Sequence, residues 1–387
     1  MLADELDYIV GVDTHRDEHV LAVVAAATGA VLARQVVRAN ERGYQAALRF
    51  AGEAAHGARA WAVEGTGSYG AGLARYLAGR GESVLEVSRT PRTERRLRGK
   101  DDALDAARTA RAALAGEALA LPRNGERREA LRLVLVARRS AVDVRREALG
   151  QLRGVIVTAP DRLREELRVL PTGRLLERCS RLRRSSSAGA DELATRLVLR
   201  SLARRIDAAT REAAELEREI LAHVRALAPA LLEEPGVGPI VAAQVIVAWS
   251  HRGRLRSEAA FARLAGVAPL PASSGQTRRH RLSRGGDRQL NRALHTIVLH
   301  RRQHDPATKD YIARRLAEGK SRRDATRLLK RYLARHLYRL LHSRRVVASG
   351  ERRRLGSAAA DSIPACRPWA DLPALCRRRR PRPPSVT

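Results

Sequence analysis

The chain has 387 residues, of which 44% are hydrophobic and 30% are charged, with 74 Lys and Arg against 42 Asp and Glu and a formal net charge of +32. This length suits two to three domains at about 150 residues each, with enough apolar residues for a sizeable core. The basic excess excludes an ordinary metabolic enzyme as the default interpretation and indicates a polyanionic partner, most commonly nucleic acid.

The basic excess is confined to one part of the chain. Residues 1–120 contain 16 Lys and Arg and 16 Asp and Glu, so this part is neutral. The remaining residues hold 58 basic and 26 acidic groups, which is the whole net charge. The distribution predicts an acidic-site module joined to a polyanion-binding module.

The three cysteines and the N-terminus indicate the cellular environment. Cys179, Cys366 and Cys376 form no CxxC spacing, and three cysteines make no disulfide framework. A reducing cytoplasm fits this usage, with association to the nucleoid expected from the charge. The N-terminus lacks a basic region typical of signal peptides, and no apolar stretch is long enough to span a bilayer, so no membrane partner is expected.

The first 120 residues alternate between strand and helix patterns. Three β-branched runs are followed by alternating helices and strands, which is the order expected of an RNase H-like α/β domain. The predicted strands are Tyr8–Val12, Val20–Ala27, Val31–Arg38, Ala60–Val63 and Val84–Val87. The predicted helices are Glu41–Ala54, Tyr69–Leu77 and Asp101–Leu114.

Helical periodicity dominates from about residue 127 to 228. Leucine, isoleucine and valine recur at helical spacing in two long stretches, with a turn and a serine-rich loop between them. Two long amphipathic helices of this kind are typical of an antiparallel or intermolecular coiled coil, while a plain helical hairpin within one subunit is the alternative. The pattern predicts a coiled-coil region over 121–230.

The remaining chain divides into a mostly helical module and a tail. Residues 231–345 are expected to form a mostly α C-terminal domain. Residues 346–387 lose periodicity and are rich in arginine and proline, so we expect a basic disordered tail.

Four carboxylates in the neutral part form a candidate metal site. Asp13 and Glu64 each stand where an apolar strand ends, and Asp102 and Asp105 are three apart on a predicted helix, so they share a face. Each alone has a structural alternative, a turn or helix cap. Together they predict a cluster that holds two Mg²⁺ ions, about 4 Å apart, for phosphodiester transfer. Hard oxygen ligands suit Mg²⁺.

Two constellations in the basic part are candidates for binding phosphate. The Pro-Gly-Val-Gly turn with Gly236 and Gly238 precedes a predicted helix, as in a helix-hairpin-helix motif, whose backbone N–H groups hold a phosphate. A Ser-Ser-Gly loop with Ser274 could supply a nucleophile or be only a solvated turn, and residue patterns alone favour the turn. It is followed by a basic strip with Arg278, Arg279, Arg281 and Arg284.

In motif order and spacing, most of residues 8–341 resembles the DEDD-type transposases of the insertion-sequence one-ten family, which are related to the Piv DNA invertases. The N-terminal motifs are Gly-Val-Asp13, Val-Glu64-Gly and Lys-x-Asp102-x-x-Asp105-Ala. The C-terminal motifs are Pro-Gly-Val-Gly, Gly-Val-Ala-Pro, Ser-Ser-Gly and Leu-Ser-Arg-Gly-Gly-Asp. The sequence departs from the family at Glu234, where a hydrophobic residue usually precedes the Pro-Gly turn.

The resemblance implies a transposase that cuts and exchanges DNA strands in a Mg²⁺-dependent reaction. It implies that the RuvC-like acids work with a serine of the C-terminal domain, from a neighbouring subunit of a dimer or tetramer, and that this serine forms a covalent link to DNA. Ser274 matches that serine better than Ser273. Donor ends and target DNA, with a noncoding guide RNA, are the partners implied.

Two other functions remain alternatives. One is a RuvC-like junction-resolving nuclease that uses water, with the serine only binding phosphate. The other is a non-catalytic nucleic-acid-binding protein whose acids balance its arginines.

Overall fold

The structure is a computed structural model that describes residues 2–87, 102–116, 119–183, 189–271, 280–281, 283 and 285–343. It divides into two compact units. The first unit contains the chain up to Gly125 together with Trp249–Ala260. The second contains Glu126–Ala248 and the chain from Phe261 onward.

The first unit contains a five-stranded sheet with helices on both faces. The strands are β1 (Tyr8–Thr14), β2 (Glu18–Ala25), β3 (Val31–Arg38), β4 (Arg59–Glu64) and β5 (Val84–Val87). The helices are α1 (Leu2–Glu5), α2 (Glu41–Ala54), α3 (Ala71–Gly79) and α4 (Asp102–Leu114).

The strand order is β3-β2-β1-β4-β5. β1 pairs antiparallel with β2, and β2 antiparallel with β3, as expected for two short connections. β1 pairs parallel with β4, and β4 parallel with β5, because a helix crosses between the strands of each pair. β1 is therefore the central strand of a mixed sheet.

Alternation along the strands separates two cores. Val10, Val12 and Val63 belong to a buried cluster with residues of α2 and α3. Ile9 and Ala62 belong to a second cluster that contains four buried alanines of α4. Because successive side chains of a strand point to opposite faces, α2 and α3 cover one face of the sheet and α4 covers the other.

The segment Trp249–Ala260 joins the first unit through a buried arginine. The side chain of Arg254 is 2% exposed, and its Nη2 lies 3.3 Å from Oε2 of Glu86 on β5. Arg123 Nη1 lies 3.1 Å from the other oxygen of Glu86. The backbone N–H of Leu121 also donates to the carbonyl of Arg254. The Glu86 carboxylate thus connects the segments of Arg123 and Arg254, which are far apart in sequence.

In the second part of the chain the described residues are mostly helical. The helices are α5 (Glu126–Val157), α6 (Asp161–Arg168), α7 (Thr172–Ser180), α8 (Ala190–Leu227), α9 (Pro239–Trp249), α10 (Glu258–Leu264), α11 (Arg288–His304), α12 (Pro306–Ala317) and α13 (Arg322–His342). A 3₁₀ turn covers Pro229–Glu233, and the short strands β6 (Leu270–Pro271) and β7 (His280–Arg281) form a two-stranded ladder.

Helices α5 and α8 pack antiparallel within this chain. Arg138 near the start of α5 bonds Glu217 near the end of α8, with Nη2 and Oε1 2.6 Å apart. Leu152 further along α5 shares a buried cluster with Leu199 of α8. Helices α6 and α7 fill the same cluster between them, where the sequence pattern alone predicted only a turn and a loop.

The sequence predicted the elements of the sheet domain to within a few residues. The strand Val31–Arg38 and the helix Glu41–Ala54 are confirmed with the same bounds. The structure thus has an α/β N-terminal part and a mostly helical remainder, with the β6–β7 ladder as an addition. The predicted tail, residues 346–387, lies outside the described residues. Within the described part, no helix is both long and apolar enough to cross a membrane.

Candidate functional site

Asp13 and Glu64 lie side by side at the ends of two parallel strands. Val12 pairs with Val63 in the β1–β4 ladder, so the residues that follow them are neighbours. Because Val12 and Val63 face α2 and α3, Asp13 and Glu64 project from the opposite face, the one that α4 covers. The Asp13 side chain is 13% exposed, so its carboxylate is largely shielded from water.

Helix α4, which carries the predicted Asp pair, packs across the central strand β1. A Cβ atom on Gly11 would stand 2.0 Å from the carbonyl oxygen of Ala106, so the helix crosses directly over β1. Arg111, one turn further along the helix, donates from Nε to the carbonyl of Gly29 in the β2–β3 turn. That turn lies beside the start of β1, because Ala25 pairs with Tyr8. The N-terminal end of α4 therefore points toward the strand ends that carry Asp13 and Glu64.

The structure describes the side chain of one predicted aspartate of α4 but not that of the other. Asp105 is 22% exposed in its side chain, and Oδ1 accepts a hydrogen bond of 2.7 Å from Nη1 of Arg108. Asp102 begins the helix, but its side chain lies outside the described residues. Among the residues that the structure describes, no group of three or more His, Cys, Asp or Glu side chains is arranged to hold a metal ion. The four-carboxylate cluster therefore stays a prediction.

Three neighbours of the acids were not singled out from the sequence. His15 Nε2 lies 3.2 Å from Oδ2 of Asp13. The Thr14 hydroxyl donates to the Glu64 carbonyl at 2.9 Å and so joins the two strand ends. Gly65 then turns the chain away from the sheet with a φ of +71°, a conformation that glycine adopts without strain. The Gly-Val-Asp-Thr-His run was the available signal, since it puts two further polar side chains directly after the acid.

The Pro-Gly-Val-Gly turn is held by buried ion pairs through Glu234. Oε2 of Glu234 lies 2.8 Å from Nη2 of Arg301 on α11, and Oε1 lies 2.7 Å from Nε2 of His336 on α13. Arg301 also donates from Nε to the carbonyl of Pro235 at 2.7 Å. Burial raises the pKa of Glu234, but the bonds from His336 and Arg301 outweigh it and lower the pKa overall.

This network explains the residue that departs from the family pattern. Glu234 stands where a hydrophobic residue was expected, and its carboxylate bonds Arg301 and His336 of the helical core. Gly236 follows with a φ of +78°, and Gly238 directly precedes α9. The turn is therefore tied to α11 and α13 rather than only packed against them.

The base of the loop with Ser274 is closely packed. Leu270 pairs with Arg281 and Pro271 with His280, so the strands β6 and β7 form a hairpin stem. Below the stem, the backbone N–H of Asp287 donates to the carbonyl of Leu264 at 2.6 Å. Ser274, Arg278, Arg279 and Arg284 lie outside the described residues, as does the side chain of Arg281.

Helix α11 begins directly after this loop and fixes its other end. Asp287 caps the helix by accepting hydrogen bonds from the backbone N–H groups of Gln289 and Leu290. Asn291 then donates from Nδ2 to the carbonyl of Ala265 at 2.7 Å. A Cβ atom on Gly286 would stand 2.3 Å from the backbone nitrogen of Gly266, so the two ends of the loop are in direct backbone contact.

Comparison with known proteins identifies relatives for both parts of the chain. Residues 10–159 match a family model of DEDD transposases of the IS110 type, and residues 228–313 match the model of the transposase IS116/IS110/IS902 family. The chain is 34% identical over 148 residues to an uncharacterized 43.6 kDa protein of insertion element IS110 from Streptomyces coelicolor. That match covers 38% of this chain and 36% of the relative. Two family models, matched in the expected order, show that the chain belongs to the IS110 family of transposases.

Proposed function

We propose that this protein is a Mg²⁺-dependent DNA transposase that cuts and exchanges strands through Ser274. The observation that carries the proposal is the placement of Asp13 and Glu64 at neighbouring strand ends, on the sheet face that α4 covers. Carboxylate oxygens are the protein ligands that Mg²⁺ prefers, and a phosphodiester substrate supplies the polyanion that the net charge of +32 favours.

The sheet supports an RNase H-like assignment for the first unit. A central strand flanked by an antiparallel ribbon on one side and by parallel strands on the other is the arrangement expected from the predicted element order. In a sheet of this kind the carboxyl ends of parallel strands form the natural site for ligands. The helix-hairpin-helix assignment rests on the Gly236–Gly238 turn that opens α9.

The chemistry of the donors fits Mg²⁺. Asp13, Glu64, Asp102 and Asp105 would hold it, since carboxylate oxygens are its preferred protein ligands. When bound, the metal supplies electrostatic stabilisation of the charge that develops on the attacking and leaving oxygens. Arg108 occupies Oδ1 of Asp105 in the structure, so we expect this ion pair to exchange when the site is loaded.

The serine would perform the covalent step. Its hydroxyl loses a proton as its oxygen forms a bond to the phosphorus, and the bond between the phosphorus and the leaving sugar oxygen breaks as that oxygen gains a proton. The hairpin stem and the Asn291 bond to Ala265 fix the base of the loop. A fixed loop base would reduce the ordering that the attack requires.

The partners are proposed from the family. We infer that donor ends and target DNA are bound together with a noncoding guide RNA, and that a dimer or tetramer brings the serine of one subunit to the acids of another. The basic part of the chain, with 58 Lys and Arg against 26 acids, supports polyanion binding without distinguishing DNA from RNA.

The test is to trap a covalent protein–DNA adduct under denaturing conditions. The wild-type chain with copurifying RNA, supercoiled donor plasmid and Mg²⁺ should give the adduct, and Ser274→Ala should give none, with Ser273→Ala as the matched control. Strand cleavage without an adduct would favour the water-using nuclease. Binding that is independent of Mg²⁺ and leads to no cleavage would favour the non-catalytic protein.

Metal binding is tested separately from activity. We expect Mn²⁺ titration followed by electron paramagnetic resonance to show bound metal in the wild-type chain and in Ser274→Ala. Asp13→Asn should lose it. Equal Mn²⁺ binding by the wild type and Asp13→Asn would contradict the assignment of Asp13 as a ligand.

A further inference from the structure

Helix α11 presents a row of basic side chains along one face. Arg288, Arg292, His295 and Arg302 are spaced by four, three and seven residues, and at 3.6 residues per turn these positions fall on one stripe. We name these four residues the α11 stripe. Arg288, Arg292 and His295 are exposed, Arg302 is half-buried, and the helix contains no Asp or Glu.

The arginines of the α11 stripe have no acid on their own helix to pair with. On α5 and α8, by comparison, some arginines pair with acids one turn away, as Arg132 does with Glu129 and Arg211 with Asp207. Within the described part of the chain, Arg288, Arg292 and Arg302 form no salt bridge. Their charge is therefore not offset by an ion pair among the described residues.

A lysine from a second helix adds to the uncompensated charge. Lys330 of α13 is half-buried, and its Nζ donates to Oδ1 of Asn291 on α11 at 2.6 Å. Burial and the nearby charge of Arg327 lower the pKa of Lys330. Burial, Lys330 and Arg302 lower the pKa of His295. The positive charges of Arg302 and Lys330 therefore lie near each other around His295 at a cost in free energy, which a bound anion would offset.

The same contacts connect the α11 stripe to the serine loop. Asn291, which accepts the bond from Lys330, donates to the carbonyl of Ala265 at the start of that loop. Arg288, the first residue of the stripe, follows Asp287, whose backbone N–H bonds the carbonyl of Leu264. A polyanion that lies along the stripe would thus reach the base of the hairpin that carries Ser274.

We propose that the α11 stripe, together with Lys330, binds the phosphate backbone of the DNA that the serine attacks. From Arg288 to Arg302 the stripe extends about 21 Å along the helix axis. This length matches about six nucleotides of one strand of a DNA duplex. The choice of DNA as the bound polyanion rests on the proposed function, in which the covalent link joins the serine to DNA.

The experiment measures binding of a short mixed-sequence DNA duplex, and of an RNA duplex of the same sequence, over a series of salt concentrations. Every chain tested is full-length and also carries Ser274→Ala, so that no covalent adduct contributes. Arg292→Gln with Arg302→Gln removes two charges of the stripe. The matched control, Arg181→Gln with Arg211→Gln, removes two exposed arginines that pair with acids of α7 and α8.

We expect the stripe variant to bind DNA about tenfold more weakly and to lose about 1.8 units of the slope of log affinity against log salt, one phosphate contact for each arginine. The control should bind like the parent chain. DNA binding equal to that of the control would overturn the proposal, and so would a loss of affinity confined to the RNA duplex. If the wild-type chain formed no covalent adduct but the stripe variant still had a smaller salt slope for DNA, the serine mechanism would be refuted and the DNA-binding role of the α11 stripe would stand.

Discussion

Gly11 and Ala106 are in such close contact that no side chain fits between them. The Cβ of any other residue at position 11 would stand 2.0 Å from the carbonyl oxygen of Ala106 and 2.8 Å from the backbone nitrogen of Ala110. Both obstacles are helix backbone, so α4 itself would have to move. The missing side chain at position 11 is therefore what lets α4 pack directly over β1.

Gly11→Ala should accordingly displace α4 and weaken metal binding although every acid is retained. We expect the free energy of unfolding to fall by about 1–3 kcal/mol or more, as in other overpacked cores. Urea denaturation and Mn²⁺ titration measure the two effects. Gly52→Ala is the control, because a Cβ there meets nothing within 4 Å and alanine favours a helix. Mn²⁺ binding by Gly11→Ala that matched the wild type would refute this role of the glycine.

Glu234→Leu should destabilise the second unit although leucine resembles the family's usual residue. The side chain of Arg301 is 5% exposed and would lose its carboxylate. A buried charge left without its partner typically costs about 3–5 kcal/mol. Thermal and urea unfolding measure the loss, with Glu233→Leu at the neighbouring exposed position as control. If Glu234→Leu and Glu233→Leu had the same melting temperature and the same urea midpoint, the ion pairs at Glu234 would contribute nothing to stability.

The first unit should lose stability as the pH falls because of His19. This side chain is fully buried. Burial lowers the pKa of His19, the backbone bond at Glu18 opposes this, and the charge of His15 adds to it. The unfolded chain therefore binds the proton more readily, so the stability is full above the ordinary histidine pKa of 6.5 and declines below it.

Thermal unfolding between neutral and mildly acidic pH measures this decline. His19→Phe should flatten it, since phenylalanine keeps a ring against Tyr44, on which His19 stacks. His56→Gln, at an exposed position, should keep the wild-type profile. An unchanged profile in His19→Phe would show that another group titrates.

Asn291→Ala should reduce the yield of the covalent adduct without unfolding the chain. It removes the bond to the Ala265 carbonyl and the only acceptor that the described contacts give to Lys330. We expect the loop base to protect its amides less in hydrogen exchange and the adduct yield to fall at an unchanged melting temperature. Gln289→Ala is the control from the same turn. Normal adduct formation by Asn291→Ala would remove Asn291 from the positioning of the loop.

The sequence by itself determined the secondary structure of the sheet domain and the positions of its acids. Alternation of β-branched residues predicted β3 with its observed bounds, and the acids at residues 13 and 64 were identified by where their strands end. These features depend on residues close together in the chain, whose periodicity is visible in the sequence.

Tertiary structure alone decided which distant residues meet. The bond between Glu234 and His336, and the one between Glu86 and Arg254, join residues 102 and 168 positions apart. No local sequence pattern predicts these pairs, because the two partners come together only when the chain folds and buries them. The contact of Gly11 with Ala106 belongs to the same class, since helix packing rather than periodicity decides where α4 crosses β1.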